Sequence, residues 1–285
     1  MKNNAILLLS CKDQKGIVAS VANFIFKNDG NIINSDQHSD IETNTFFMRI
    51  EWELANFKIP ISNLKKEFSA QIAKNFDMQF SLDFSNHKKN TAIFVSKYNH
   101  CLIDLLLRHK EGEINTDIKV IISNHNDLKN IADFYNIDFH HAPITVSNKI
   151  DQEKLELKIL EKYNIDLIIL ARYMQILTSE IVSKYENKII NIHHSFLPAF
   201  IGAKPYKQAF ERGVKIIGAT SHYVTVKLDT GPIIEQDIIR ISHKDTETNL
   251  ISKGKDIEKR VLSKAVKLHL ENKILVHGKK TIVFG

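Results

Sequence analysis

The chain writes its strands in two different patterns, and the change near residue 90 constrains the fold more than any single motif. In the first 84 residues apolar and polar side chains alternate. Phe46, Met48, Ile50 and Trp52 share one face of a segment whose Arg49, Glu51 and Glu53 take the other, and FDMQFSLDF repeats the pattern with Phe76, Met78, Phe80, Leu82 and Phe84. A period of two predicts antiparallel strands with one buried and one wet face. Helical stripes accompany them, with Val18, Val21, Ala22 and Ile25 in the first and Ile61, Leu64, Phe68 and Ile72 in the second. With AILLLSC and GNIINSDQ as further strands, the order is strand, helix, strand, strand, helix, strand. That is the order of a small ferredoxin-like α+β domain over residues 1–84.

SNHKKNT, residues 85–91, is polar and without periodicity, and reads as the linker. From residue 92 the strands become unbroken apolar runs, AIFVS, IKVII, DLIIL and KIINI, spaced by helical patterns such as IDQEKLELKILEKY, in which Leu155, Ile159, Leu160 and Tyr163 form a stripe. Strands apolar on both faces and alternating with helices predict an α/β domain over residues 92–285, doubly wound on a mostly parallel sheet. Ligands of such sheets bind beyond the carboxyl ends of the strands, where strand order reverses. With 43% hydrophobic residues in 285, the chain can bury a core in each region.

Lys and Arg exceed Asp and Glu by six, but they are scattered with no basic block, so the charge points away from nucleic acid and is compatible with an anionic small molecule. Cys11 and Cys101 lie far apart without a CxxC pairing, which excludes a disulfide framework or a thiolate zinc site. The apolar AILLL is short for a signal peptide, and nowhere do about 18 apolar residues run together. A cytoplasmic protein without membrane contact is expected.

At the end of KIINI stands NIHHSFLPAF, an amide, two imidazoles and a hydroxyl within five positions. Side chains alternate along a strand, so Asn191 and His193 point to one side and His194 to the other, and only one imidazole is expected to share a pocket with the amide. Adjacent histidines make a poor metal pair and no HExxH completes one, so no metal is expected. An amide donor can stabilise an oxyanion, worth on the order of 100- to 1,000-fold in rate. An imidazole can move a proton near neutrality. A lone strand-end His is also a common structural residue, but the Asn in register and the following LPAFxG turn favour chemistry. The matching carboxylate is Asp229 in GATSHYVTVKLDTGPII, although an Asp before Gly231 and Pro232 also suits an ordinary turn. Covalent catalysis finds little support. Ser195 lacks a GxSxG elbow, Cys101 has no signalled partner, and SKYNHCL, after the first strand of the second domain, has no glycine with which to cradle a dinucleotide.

NIHHSFLPAF resembles the Asn-x-His and Ser-x-Leu-Pro signature of the folate-dependent formyltransferase family. SHYVTVKLDTGPII resembles that family's loop with an essential Asp before Gly-Pro, and ARYMQIL its pterin-holding segment. The resemblance covers most of residues 92–285. It implies Asn191, His193 and Asp229 as catalytic residues. It also implies a folate site formed by Arg172, Tyr173, Met174, Gln175, Ile176 and Leu177 with His222 and Val224. The glycine-rich phosphate turn of the family's ribonucleotide-using members is replaced by SKYNHCL. The leading domain, with Asp13, Gly16 and Ile17 between first strand and first helix, resembles an ACT domain, a module that commonly binds amino acids and pairs subunits. This layout is that of the family's deformylases, as is His194, where the transferases usually carry Pro. The transferases also commonly have Arg at the position of Gln175, while the deformylases share ARYMQ. What the resemblance implies is hydrolysis of 10-formyltetrahydrofolate to formate and tetrahydrofolate with no cofactor, in a homo-oligomer with an amino-acid effector. Formyl transfer to a small amine is the nearest alternative, and a non-catalytic folate or amino-acid sensor is a more distant one.

Overall fold

The structure, a computed structural model, describes residues 3–145, 147–199 and 205–285. Phe200 and Gly202 of the LPAFxG turn lie outside them. The chain forms two compact units. One takes the residues up to Lys88 together with Glu271–Leu275 and Ile282–Gly285, and the other takes Lys89–Leu270 and Val276–Thr281.

In the first unit β1 (Asn4–Lys12), α1 (Ile17–Lys27), β2 (Asn31–Asp40), β3 (Thr45–Glu53), α2 (Ile61–Gln71) and β4 (Gln79–Phe84) follow the expected order. The sheet runs β2-β3-β1-β4 and is antiparallel throughout. Phe46, Met48, Ile50 and Trp52 are buried against both helices, as the alternation predicts. The helical stripes are shifted from their expected places. α1 buries Ile17, Val21, Phe24 and Ile25 and turns Val18 outward, while α2 buries Leu64 and Phe68 and leaves Ile61 exposed.

The opposite face of this sheet is covered at β1 and β3. Phe47 and Leu8 are covered by Phe284, Leu275 and Ile282, and Arg49 is 4% exposed. The Arg49 guanidinium donates to Asn34 Oδ1 and Glu51 Oε2, each at 2.9 Å, and to the carbonyls of Asn272 and Glu271 at 3.0 and 3.3 Å. These bonds satisfy a cation that burial would otherwise penalise. The expected division at residues 84, 91 and 92 is corrected on two counts: Asn90 and Thr91 already belong to a strand of the second unit, and the segments after Leu270 complete the first.

The second unit alternates strand and helix through β5 (Asn90–Val95), α3 (His100–Lys110), β6 (Asp117–Ser123), α4 (Lys129–Phe134), β7 (Asp138–His141), α5 (Lys149–Lys162), β8 (Leu167–Leu170), α6 (Ser179–Lys184) and β9 (Ile189–His193). It continues with α7 (Pro205–Arg212), β10 (Ile216–Tyr223), β11 (Ile233–Arg240) and α8 (Glu247–Leu270), and a short hairpin of β12 (Ile274–His277) and β13 (Lys280–Val283) follows. The large sheet runs β11-β10-β9-β8-β5-β6-β7, parallel from β9 to β7, with β10 and β11 antiparallel at one edge. From β5 the chain first builds outward through β6 and β7, then returns to add β8 and β9 on the other side. The order therefore reverses beside β5 and β8, and that end of the sheet is where a ligand crevice opens.

Candidate active site

β9 brings the amide and one imidazole to the same side. Its register sets Asn191 beside Leu170 of β8 and opposite His222 of β10. Neighbours across a sheet share a face, so Asn191 and His222 meet although 31 positions separate them. His222 Nδ1 lies 2.9 Å from the Tyr223 carbonyl oxygen, which can only accept, so Nδ1 carries the hydrogen. Burial lowers the pKa of this ring and keeps it neutral. Its Nε2 is then an acceptor, and Asn191 Nδ2 donates to it at 3.2 Å. The amide is thereby oriented, with its second N–H left for a ligand.

His193 is 6% exposed, and its Nδ1 stands 3.3 Å from Asp229 Oδ2. Its Nε2 is buried and has no hydrogen-bond partner among the described residues. Asp229 sits in the turn between β10 and β11 with a left-handed φ of 53°. The hydrogen bond from His193 holds its carboxyl below the usual carboxylate range, against a smaller opposing effect of burial. The turn closes tightly: Tyr223 N donates to the Pro232 carbonyl, and a Cβ on Gly231 would fall 1.7 Å from the Tyr223 carbonyl oxygen. Glycine is obligatory there.

These residues face one cavity of about 320 Å³. Arg172, Tyr173, Met174, Gln175, Ile176 and Leu177 line it together with His222 and Val224, so the expected binding residues meet the expected catalytic ones. Leu170, Thr225, Val226 and Leu228 also line it and were not foreseen. Exposed Met174, Ile176, Val226 and Leu228 give the mouth an apolar lip suited to a flat ring. The strand alternation misplaces His194: it lines the same cavity as His193, with ring centroids 5.4 Å apart. β9 ends at His193, so the two-residue period no longer governs the next side chain.

The binding segment after β8 is anchored from below. Ser96 Oγ accepts from Met174 N at 3.0 Å and donates to Asn124 Oδ1 at 2.6 Å. Tyr173 donates its hydroxyl to Glu156 at 3.1 Å, and both Glu153 oxygens accept from Thr178 N. This corrects the expected stripe of α5, which buries Glu153, Glu156, Leu157 and Leu160 while Leu155 is exposed. Burial raises the pKa of Glu156 to about 7, and its Oε2 has no partner. The folded protein therefore holds a proton that the unfolded chain has released between the ordinary carboxylate pKa and about 7. Stability falls as pH rises through that window. Glu156→Gln is expected to flatten the fall and to stabilise the protein at pH ~8 by on the order of 2 kcal/mol, read from urea midpoints across pH.

Asp13, Gly16 and Ile17 lie on the turn from β1 into α1. Gly16 has φ 95°, Asp13 N donates to the Asn44 carbonyl at 2.9 Å, and Ile17 is buried. Among the described residues, His100, Cys101 and Glu258 form a group close enough to hold a metal ion. The chemistry disfavours one: Glu258 already accepts from Tyr206 and pairs with His100 and Arg172, and burial raises the Cys101 thiol well above its ordinary range.

A family model for formyl transferases matches residues 89–266. The chain is 53% identical to a formyltetrahydrofolate deformylase of Synechocystis over 99% of its own length and 98% of that protein's. It is 51% identical to one of Bacillus subtilis, covering 98% of this chain and 93% of the other. Its structure resembles that of a deformylase from Pseudomonas syringae with a TM-score of 0.97 at 41% identity, covering all of this chain and 95% of that one. A glycinamide ribonucleotide transformylase from Symbiobacterium toebii matches with a TM-score of 0.67 at 28% identity over 72% of this chain and 98% of its own.

Proposed function

The chain belongs to the formyl transferase family and is similar to its formyltetrahydrofolate deformylases over nearly its full length, and from this premise we propose that it hydrolyses 10-formyltetrahydrofolate to formate and tetrahydrofolate. The observation that carries the mechanism is the convergence of Asn191, His193 and Asp229 on one cavity. The water oxygen bonds to the formyl carbon as Asp229 takes a proton from it. The oxyanion is held by the Asn191 N–H that His222 leaves unused and by protonated His193. The C–N bond then breaks as the departing nitrogen takes the proton from His193 Nε2. The formic acid formed returns a proton to His193 and leaves as formate, and Asp229 loses its proton to solvent. In this reading no cofactor takes part.

The test is formate release from 10-formyltetrahydrofolate by purified protein with no amine added. Stoichiometric release of formate and tetrahydrofolate is expected. Turnover that appears only on adding an amine acceptor would transfer the reading to formyl transfer, and tight folate binding without turnover would transfer it to a sensor.

The N-terminal unit is assigned an amino-acid effector at Asp13, Gly16 and Ile17, supported by the left-handed Gly16 that opens α1. Because Glu271–Leu275 and Ile282–Gly285 belong to that unit, deleting it would strand them, and the test uses the full chain. Gly16→Val should abolish an amino acid's effect on formate release and leave activity without effector unchanged; an effect that survives removes the assignment. The exposed edge strand β2 supports a homo-oligomer paired through this unit, which light scattering would detect as a multiple of 32.7 kDa. A cytoplasmic location fits the free, buried Cys11 and Cys101. Among the described residues no helix is long and apolar enough to cross a membrane.

A further inference from the structure

Beside the reaction cavity lies a second one, of about 310 Å³, which shares Arg172, Met174 and His194 with it. We propose that this second cavity is an anion subsite that receives the formate ion as it leaves the formyl carbon, with the Arg172 guanidinium as the binding cation. The proposal deepens the hydrolytic reading and rests on it for the identity of the anion.

The first support is Arg172 itself. Its side chain is 8% exposed, yet Nε and Nη1 form no hydrogen bond among the described residues. Among the described residues its one close anion is Glu258, whose Oε2 stands 3.5 Å from Nε, too far for a charge-assisted hydrogen bond. A buried guanidinium with unmade bonds is costly and is retained where a ligand completes it. Its backbone is also held in the left-handed region, φ 63°, which a long side chain rarely adopts. The ring of Tyr98, from the glycine-free SKYNHCL segment, lies 5.0 Å from the guanidinium carbon and supports it.

The second support is that Glu258 does not need Arg172. Tyr206 donates to one of its oxygens at 2.5 Å and His100 Nε2 lies 2.7 Å from the other. The fold makes room for this arrangement at Gly254, where a Cβ would fall 2.1 Å from the Tyr206 hydroxyl oxygen. The carboxylate is thus satisfied by two other elements, and the guanidinium keeps donors for a second anion.

Charge and size agree. Arg172, Lys207 and Lys255 face the cavity against Glu247 and Glu258, three positive groups to two negative before His100 is counted. Formate is an anion at neutral pH and small enough to share this volume with water. His194 forms part of the wall common to both cavities, so the path from the formyl carbon passes beside it. Burial, and then the nearby Arg172, lower its pKa to about 3, so it adds no competing charge.

Binding of ¹³C-formate to the full chain, followed by saturation-transfer NMR at constant ionic strength set with chloride, tests the subsite. Formate is expected to bind both with and without tetrahydrofolate. Arg172→Gln should weaken it by about ten- to a hundred-fold. Lys255→Gln, a rim change that does not disturb the buried network, should weaken it about two- to five-fold, and it carries the test should the Arg172 variant not fold. The subsite is overturned if formate binds no better than chloride, if tetrahydrofolate displaces it, or if the folded variants bind it as the parent does. The companion assay separates the two readings. Formate release without formate binding removes only the subsite, whereas formate binding at Arg172 without hydrolysis removes the hydrolytic reading and leaves an anion site.

Discussion

Asp229→Asn is expected to lower kcat by about 100- to 10,000-fold while the protein remains folded. The substitution keeps the shape of a side chain at a cavity wall, so circular dichroism should change little. The chemistry changes in two ways. An amide cannot take a proton from water, and with its NH2 group turned to His193 Nδ1 it would present a donor where that nitrogen now meets an acceptor at 3.3 Å. Nδ1 would then have to accept, and the ring would carry one proton, on Nε2, in place of the two of the imidazolium that holds the oxyanion. His193→Ala should cost a similar factor, and the double variant little more than either single one, because the pair acts as a unit. Single-turnover formate release measures all three. A rate for Asp229→Asn within ten-fold of the parent would remove the carboxylate from the mechanism. The pH dependence of stability adds an independent reading. The Asp229 carboxyl is held below its ordinary range by His193, so the stability it contributes is complete above the unfolded pKa and is lost as pH falls through the lower folded value. The stability difference between parent and Asn variant should therefore close only under acid conditions.

Asn191→Ala is expected to lower kcat by about 100- to 1,000-fold with a much smaller change in KM. The amide is oriented before substrate arrives, because one N–H is tied to His222 Nε2 at 3.2 Å and that ring is tied in turn to the Tyr223 carbonyl. A donor fixed in this way needs no reorganisation as charge develops on the formyl oxygen, so its loss acts on the transition state and little on ground-state binding. Steady-state kinetics separate the outcomes: a raised KM with unchanged kcat would make Asn191 a binding residue and move the oxyanion site elsewhere.

Much of this architecture is legible in the order of residues, for reasons that also explain the failures. Patterns along one strand or helix report local geometry, so the inward residues of β3 and the buried runs of the second sheet read correctly, and Asn191 and His193 fall on one side as parity requires. Reading fails where the partner comes from far along the chain. Glu153 and Glu156 look like solvent residues of α5, and only Thr178 and Tyr173 make their burial tolerable. Arg49 and Phe47 look wet until Glu271–Gly285 is placed upon them. Arg172, His100, Tyr206 and Glu258 are spread over 159 positions and present no spacing that a motif could capture. His194 fails for a different reason, since its strand ends one residue earlier.

The return of Glu271–Leu275 and Ile282–Gly285 to the N-terminal sheet bears on how the molecule is made. Phe47 and Arg49 leave the ribosome more than 200 residues ahead of the segment that shelters them. At roughly 5–20 residues per second, a nascent chain waits on the order of 10–40 seconds with that surface uncovered. During synthesis this early sheet is therefore open to chaperones and to self-association until Glu271–Gly285 has emerged and packed upon it.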